Sequence, residues 1–212
     1  FNIRKSKDSR FIGVLTPQII IRMYQERSYP VRTPSYVPRI TLYHLLTEND
    51  KGNKLLWFGR YAHHSNGQDG EFFDETGEIN TLNGDFSTNF AETGLLLSNY
   101  NISLSAHQFI RSSIEIHPKS WNANEMNGIY ARYRWSNQFM IYKIPSQEIH
   151  DHNGKKAEMS VRGEINWLFG EMNEIKSLST KRLNLSLTYF YHPEFLEELG
   201  LFVQFYHGSD YY

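Results

Sequence analysis

Residues 55–66 read LLWFGRYAHHSN, and this stretch decides the fold class. Successive side chains of a β-strand point to opposite faces, so the odd-numbered residues, ending in His63 and Ser65, share one face. The same alternation of apolar and polar residues recurs at 161–167 and 183–189, whereas helical periodicity is nearly absent. The sequence therefore predicts an all-β fold.

Nine antiparallel strands are expected in up-and-down order, with a further fragment at residues 1–6. They lie near residues 11–24, 36–46, 55–66, 86–98, 102–116, 129–142, 157–169, 181–191 and 199–207. Soluble sandwiches and lipocalins alternate as well and are the commoner source of such a pattern. These strands of about 9–16 residues exceed the roughly 5–6 of a typical soluble strand and reach the roughly 9–11 that cross a bilayer. We expect one antiparallel transmembrane β-barrel domain over residues 1–212.

The composition excludes several classes of protein. The chain has 212 residues, a net charge of -1 and no cysteine, so bulk attraction to nucleic acid, disulfides and thiol catalysis are excluded. No apolar run approaches the roughly 20 residues that a membrane-crossing helix needs, although aromatic residues make up 15% of the chain. Aromatic side chains are typical of the two interfaces of outer-membrane barrels, which favours the bacterial outer membrane as the location.

The expected number of strands does not suit a closed barrel. Bacterial outer-membrane barrels usually have an even number of strands, and an open strand edge is untenable in lipid. Nine strands and a fragment do not meet this requirement. We therefore expect barrel segments to be missing from both ends of the chain.

A candidate hydrolytic site lies where strand 55–66 ends. Hydroxyl nucleophiles need a base within hydrogen-bond reach, and that base is oriented by a third group. His63 and Ser65 share a strand face, and Asn89 follows the long connection 68–85 on a mostly apolar face. Long connections of outer-membrane barrels lie on the outer side. A base, a nucleophile and an orienter at the outer rim, facing lipid, suit a lipid substrate, although a lone His-x-Ser pair is most often a chance surface pair.

Two segments of the chain resemble the outer-membrane phospholipase A family, whose members are twelve-stranded calcium-dependent barrels. The segment His63-His64-Ser65-Asn66-Gly67 is similar to the family's His-x-Ser-Asn-Gly signature, and residues 28–38, SYPVRTPSYVP, resemble the segment that precedes it. Weaker similarity continues through 114–118 to 202–206. On this alignment the family's first strand, most of its second and its last are absent.

The resemblance implies a phospholipase A1 or A2 that acts as a homodimer, with Ser65 as nucleophile, His63 as general base and Asn89 as orienter. It also implies a calcium site. Its ligands fall on the Gln68 carbonyl, on Asp85, and on the carbonyl of Ser28 of the partner subunit. The chain departs from the family in its longer loop, in Gln68 where an arginine is frequent, and in Asp85 where the family has serine.

The acidic loop gives a separate reason to expect calcium. It carries six carboxylates and no lysine or arginine between Asn66 and Asn89, and calcium prefers oxygen ligands. These carboxylates are Asp69, Glu71, Asp74, Glu75, Glu78 and Asp85. A solvated acidic loop is the plainer interpretation of the same composition. Two other functions stay open: an inactive structural or interaction barrel that retains the site residues, and a passive pore, which bulky interior arginine and glutamate residues disfavour.

Overall fold

The protein is an antiparallel β-sheet chain, as the alternation predicts. The computed structural model describes residues 2–3, 9–21, 23, 25, 31, 34–150, 156–173, 175–193 and 200–208. Its strands are β1 (Asn2–Ile3), β2 (Phe11–Thr16), β3 (Ile19–Ile20), β4 (Ser35–Tyr36), β5 (Arg39–Glu48), β6 (Lys54–Ser65), β7 (Ser87–Asn101), β8 (Ala106–Ile116), β9 (Tyr133–His150), β10 (Lys156–Phe169), β11 (Leu183–His192) and β12 (Leu201–His207). Over the described part of the chain, no helix is long and apolar enough to cross a membrane.

The strands form one open sheet in which each long strand pairs with its neighbours in sequence. The order is β1-β2-β5-β6-β7-β8-β9-β10-β11-β12, and the short β3 and β4 pair with each other beside β6. Within the described residues no ladder joins β1 to β12, so these strands are the two edges of the sheet. The all-β antiparallel prediction is confirmed. Closure into a barrel and the missing terminal segments stay predictions.

Two expected strands are divided at prolines. The segment expected at 11–24 is split after Thr16, because Pro17 has no N–H to donate to a ladder. The segment expected at 36–46 is split in the same way at Pro38, between β4 and β5. The strand expected from residue 102 begins at Ala106 instead, because residues 102–105 form a turn in which the Leu104 N–H donates to the Asn101 side chain at 3.1 Å.

The two faces of the sheet differ in polarity, and the polar face is the buried one. In β6 the side chains of Phe58 and Ala62 are fully buried, whereas Trp57 and Tyr61 are 38% and 47% exposed. Most buried strand residues are polar: Ser35, Thr41, His64, Thr88, Glu92, Ser113, Glu115, Ser136, Ser160, Asn184 and Thr188. The opposite, exposed face carries large apolar residues, among them Leu42, Leu95, Leu97, Ile110, Ile114, Trp135, Phe139, Ile165, Leu187 and Tyr189. This is the reverse of a water-soluble sandwich, which buries its apolar face.

Charged side chains on the buried face pair across the strands. Glu92 on β7 accepts from Arg60 on β6 at 2.7 Å and from the Ser113 hydroxyl on β8 at 2.7 Å, and Arg111 lies 3.8 Å away. Arg134 on β9 lies 3.3 Å from Glu115. Glu92 and Arg134 are among the interior glutamate and arginine residues that the sequence predicts. Such pairing offsets the cost of burying charge.

Candidate functional site

The ladder between β6 and β7 brings His63 and Asn89 together. They are directly paired in the register, and Nδ1 of His63 lies 2.9 Å from Oδ1 of Asn89. Both lie on the exposed, apolar face of the sheet, with Ser65 two residues further along the same face. An amide oxygen accepts only, so this contact requires the proton on Nδ1 and leaves Nε2 as the basic nitrogen. The expected proximity of the two residues is present.

Ser65 lies at the end of β6, where it faces Ser87 on β7 and Tyr36 on β4. The side chains of Ser65 and His63 are both half-buried. Among the hydrogen bonds of the described residues, none joins the Ser65 hydroxyl to the imidazole of His63. Catalytic hydrogen bonds are frequently long in the absence of substrate and tighten when it binds. The structure thus brings the expected base and the expected orienter into contact and leaves the expected nucleophile as a near neighbour.

Tyr61 and Trp121 belong to the same cluster, and neither was expected from the sequence. The Tyr61 hydroxyl donates to Asn89 Oδ1 at 2.8 Å, and the Asn89 amide donates to the backbone carbonyl of Trp121 at 3.1 Å. The two rings meet edge to face with centroids 5.7 Å apart. Period-two alternation places Tyr61 beside His63 and is a usable signal. Trp121 belongs to a connection 32 residues beyond Asn89, and no local pattern points to it.

The last two residues of the signature close the base of the long loop. Asn66 is 7% exposed, and its side chain accepts from the Phe86 N–H at 3.0 Å and donates to the Gly84 carbonyl at 2.7 Å. Gly67 has a positive φ of 67°, and a Cβ atom there would lie 3.3 Å from the Tyr36 ring. Glycine suits both the left-handed backbone and the crowding. Asn66 and Gly67 therefore have structural roles that hold Ser65 at a fixed strand end.

The two calcium ligands expected on the long loop lie at its base. The Gln68 N–H donates to the Asn66 side chain at 3.3 Å, and the Asp85 N–H donates to the Gly70 carbonyl at 2.8 Å. The two residues thus begin and end the loop close to the Ser65 strand end, with the Asp85 side chain exposed. Ser28, the third expected ligand, lies outside the described residues.

Among the remaining loop carboxylates, Asp74 makes hydrogen bonds within the loop. The Asp74 carboxylate accepts from the Thr76 hydroxyl at 2.6 Å and from the N–H groups of Thr76 and Glu78 at 2.8 and 3.1 Å. These hydrogen bonds, the Thr76 hydroxyl first, hold the pKa of Asp74 below its usual range. Among the described residues no three carboxylates or imidazoles converge on one point. The chemistry of Gln68 and Asp85 fits an oxygen-liganded cation, but only as part of a site that other oxygens must complete.

The other histidine of the signature, His64, has no place in this cluster. His64 is buried on the opposite face of the sheet, where its ring meets Phe86 edge to face at 4.7 Å. Alternation along β6 places His64 on the face opposite His63 and Ser65.

The geometry supports one kind of chemistry, acyl transfer by a hydroxyl activated through an imidazole. His63 is oriented by an amide acceptor, and Ser65 stands beside it on an apolar, exposed surface. Comparisons with protein-family models, with curated proteins and with solved structures find no match to this chain.

Proposed function

We propose that this chain is an outer-membrane phospholipase that hydrolyses acyl ester bonds of phospholipids through Ser65, His63 and Asn89. One observation carries the proposal: His63 Nδ1 lies 2.9 Å from Asn89 Oδ1, beside Ser65, on the apolar face of the sheet. A polar catalytic cluster on an apolar surface suits an ester that arrives from a lipid phase. A water-soluble substrate would not need such a surface.

The membrane location is supported by the reversed polarity of the sheet. Buried polar residues and exposed leucine, isoleucine and aromatic residues are the arrangement of an outer-membrane barrel, with a polar lumen and an apolar lipid face. The central strands have 10 to 18 residues, enough to cross a bilayer at a tilt. We propose that the complete protein is a closed, up-and-down barrel of twelve strands in the bacterial outer membrane, with terminal strands missing from this chain, because open edges carry unpaired backbone groups that lipid does not tolerate.

The proposed mechanism begins with proton transfer from the Ser65 hydroxyl to Nε2 of His63. The hydroxyl oxygen then attacks the ester carbonyl carbon, and the imidazolium returns the proton to the leaving alcohol. Asn89 keeps the other proton on Nδ1, so that Nε2 is the nitrogen with a lone pair to accept the Ser65 proton. An acyl-enzyme results, and water hydrolyses it by the same steps with His63 again as base.

We propose calcium as the cofactor and a homodimer as the active form. The Gln68 carbonyl and the Asp85 carboxylate of one protomer would hold the ion together with the carbonyl of Ser28 of the partner subunit. Calcium would supply positive charge next to the ester oxygen, a charge that a neutral asparagine orienter does not provide.

The experiment is phospholipid hydrolysis by purified protein in detergent micelles, with calcium and with chelator. Ser65→Ala and His63→Ala are expected to abolish hydrolysis, whereas Ser87→Ala and His64→Ala keep it. Each control changes the same residue type: Ser87 directly across the ladder and His64 on the opposite face. A fluorophosphonate probe should label the wild type and Ser87→Ala but not Ser65→Ala.

An inactive interaction barrel is the alternative, and the unmade hydrogen bond between Ser65 and His63 is the observation that favours it. Absence of both hydrolysis and probe labelling in folded, calcium-loaded wild-type protein would establish that alternative. Hydrolysis that survives in Ser65→Ala would exclude the proposed mechanism while leaving the barrel fold untouched.

A further inference from the structure

Two residues outside the expected triad, Tyr61 and Trp121, fix the orientation of the Asn89 amide. Its Oδ1 accepts from the Tyr61 hydroxyl at 2.8 Å and faces His63 Nδ1 at 2.9 Å, while its Nδ2 donates to the Trp121 carbonyl at 3.1 Å. A backbone carbonyl accepts only. Rotating the amide by half a turn would place Oδ1 against that carbonyl, oxygen against oxygen. The Trp121 carbonyl therefore permits one orientation of the amide.

The orientation of this amide determines which nitrogen of His63 is basic. With Oδ1 towards the ring, Nδ1 carries the proton and Nε2 keeps the lone pair that accepts from a nucleophile. With Nδ2 towards the ring, Nδ1 would become the acceptor, and the proton would move to Nε2. In that second tautomer Nε2 carries a proton and cannot accept the proton of Ser65. The position of the Trp121 carbonyl thus controls the protonation pattern of His63.

The Trp121 carbonyl is itself held from the buried face of the sheet. Trp121 ends a short 3-10 turn, Lys119–Trp121, and the next residue, Asn122, forms a β-bridge with Thr88. The Thr88 hydroxyl donates to Asn122 Oδ1 at 2.6 Å. Thr88 is fully buried and directly precedes Asn89 on β7, with its side chain on the opposite face. A single strand therefore contacts both the site and the segment that orients it.

Thr88 is anchored in turn by a buried polar chain. Its hydroxyl lies 3.0 Å from Nδ1 of His117, and Nε2 of His117 lies 2.9 Å from Glu115. His117 is 1% exposed. Arg134 lies 3.3 Å from the same Glu115 oxygen. The hydroxyl of Thr88 thus connects this series of buried polar contacts to the segment that carries Trp121.

We propose that Thr88 is a positioning residue of the hydrolytic site, acting through Asn122 and the Trp121 carbonyl on the Asn89 amide. The inference rests on the proposed hydrolase function for its kinetic consequence. Its structural consequence, the His63 tautomer, does not depend on that function. Thr88 never touches the substrate, because it lies on the buried side of β7.

The kinetic test removes the hydroxyl and keeps the shape. Thr88→Val should lower kcat about 5-fold with KM unchanged, part of the about 100-fold that a 1 Å misplacement in an active site costs. Thr88→Ser, which restores the hydroxyl, should recover most of the rate. Thr41→Val is the matched control, because Thr41 is 2% exposed on the same face and its hydroxyl accepts instead from Arg60, at 2.9 Å. That variant should keep the wild-type kcat.

A double-mutant cycle tests whether Thr88 acts through Asn89. In an Asn89→Ala background, Thr88→Val should cause no further loss of kcat, because the amide that it positions is gone. Equal loss of kcat in the wild-type and Asn89→Ala backgrounds would overturn the proposal. So would an equal loss in Thr41→Val, which would indicate a general effect of removing a buried hydroxyl.

The second measurement works without hydrolysis. The ¹⁵N chemical shifts of the His63 ring in detergent-solubilised protein report which nitrogen carries the proton. In the wild type and in Thr41→Val the Nδ1–H form should dominate, and Thr88→Val should give a mixture of tautomers. An unchanged tautomer in Thr88→Val overturns the inference even if the enzyme is active. A changed tautomer in a protein without hydrolysis upholds the inference and refutes the proposed function.

Discussion

Replacing Asn89 by alanine isolates the contribution of the orienting residue. The amide oxygen of Asn89 accepts from His63 at 2.9 Å and from Tyr61 at 2.8 Å, and only the first of these contacts gains strength when the imidazole becomes charged. A hydrogen bond to a charged group contributes about 1.5–3 kcal/mol net, against about 0.5–1.5 kcal/mol for a neutral one. The neutral contact is already present in the ground state and the imidazolium forms on the way to the transition state, so the barrier changes by the difference, about 1–1.5 kcal/mol.

This free energy converts directly into a rate. At about 1.36 kcal/mol per tenfold, a loss of 1–1.5 kcal/mol lowers kcat by about 5- to 13-fold. His63 and Asn89 are both half-buried, so water replaces part of the lost contact and favours the lower half of this range. Ser65→Ala, by contrast, should cost about 10⁴-fold or more, because it removes the nucleophile.

The assay is the initial rate of short-chain phosphatidylcholine hydrolysis at saturating calcium, over a range of substrate concentrations. Asn99→Ala is the matched control: the same substitution on the same strand and face, at the far end of β7. It should behave as the wild type. If Asn89→Ala keeps the full rate, the amide does not orient the base. If its rate falls as low as that of Ser65→Ala, Asn89 does more than orient the imidazole, and its role as an orienter alone is refuted.

Three further predictions concern the buried network, the packing of the sheet and the metal. Glu92→Ala leaves two largely buried arginines without their carboxylate and should lower the free energy of unfolding by about 3–5 kcal/mol. Urea unfolding in detergent measures this change, and Glu92→Gln should lose less stability than Glu92→Ala. Gly94→Ala should lower the free energy of unfolding by about 1–3 kcal/mol, because its Cβ would overlap a backbone carbonyl of β8. In Gly59→Ala the new Cβ meets only the Trp57 ring, at 3.1 Å, so this variant should lose less stability in thermal unfolding. Asp85→Asn should weaken calcium binding, shift the dimer towards monomer at limiting calcium and lose activity that excess calcium partly restores. A calcium titration that changes neither the dimer fraction nor the rate of the wild-type protein would refute the shared site.

The strands and their two faces follow from the amino-acid sequence alone. Period-two alternation depends only on successive residues, so it locates β6 to within one residue and assigns His63 and Ser65 to one face. The same alternation, along the strand that follows the acidic loop, assigns Asn89 to that face. The strand ends are less predictable: Pro17 and Pro38 divide two expected strands, and the Asn101 turn shortens a third.

The polar groups that complete the cluster depend on tertiary structure. The pairing of His63 with Asn89 requires a register, and register depends on how the long loop closes, which Asn66 fixes by contacts across 18 to 20 residues. Trp121 reaches Asn89 because a separate connection folds back over the sheet, and no pattern of neighbouring residues encodes that approach. Alternation indicates only the kind of surroundings that suit each residue, namely lipid, water or a buried polar partner. The identity of a partner distant in sequence is set by the geometry of the whole sheet, and for that reason the proposed triad is visible in the sequence whereas the residues that orient it are not.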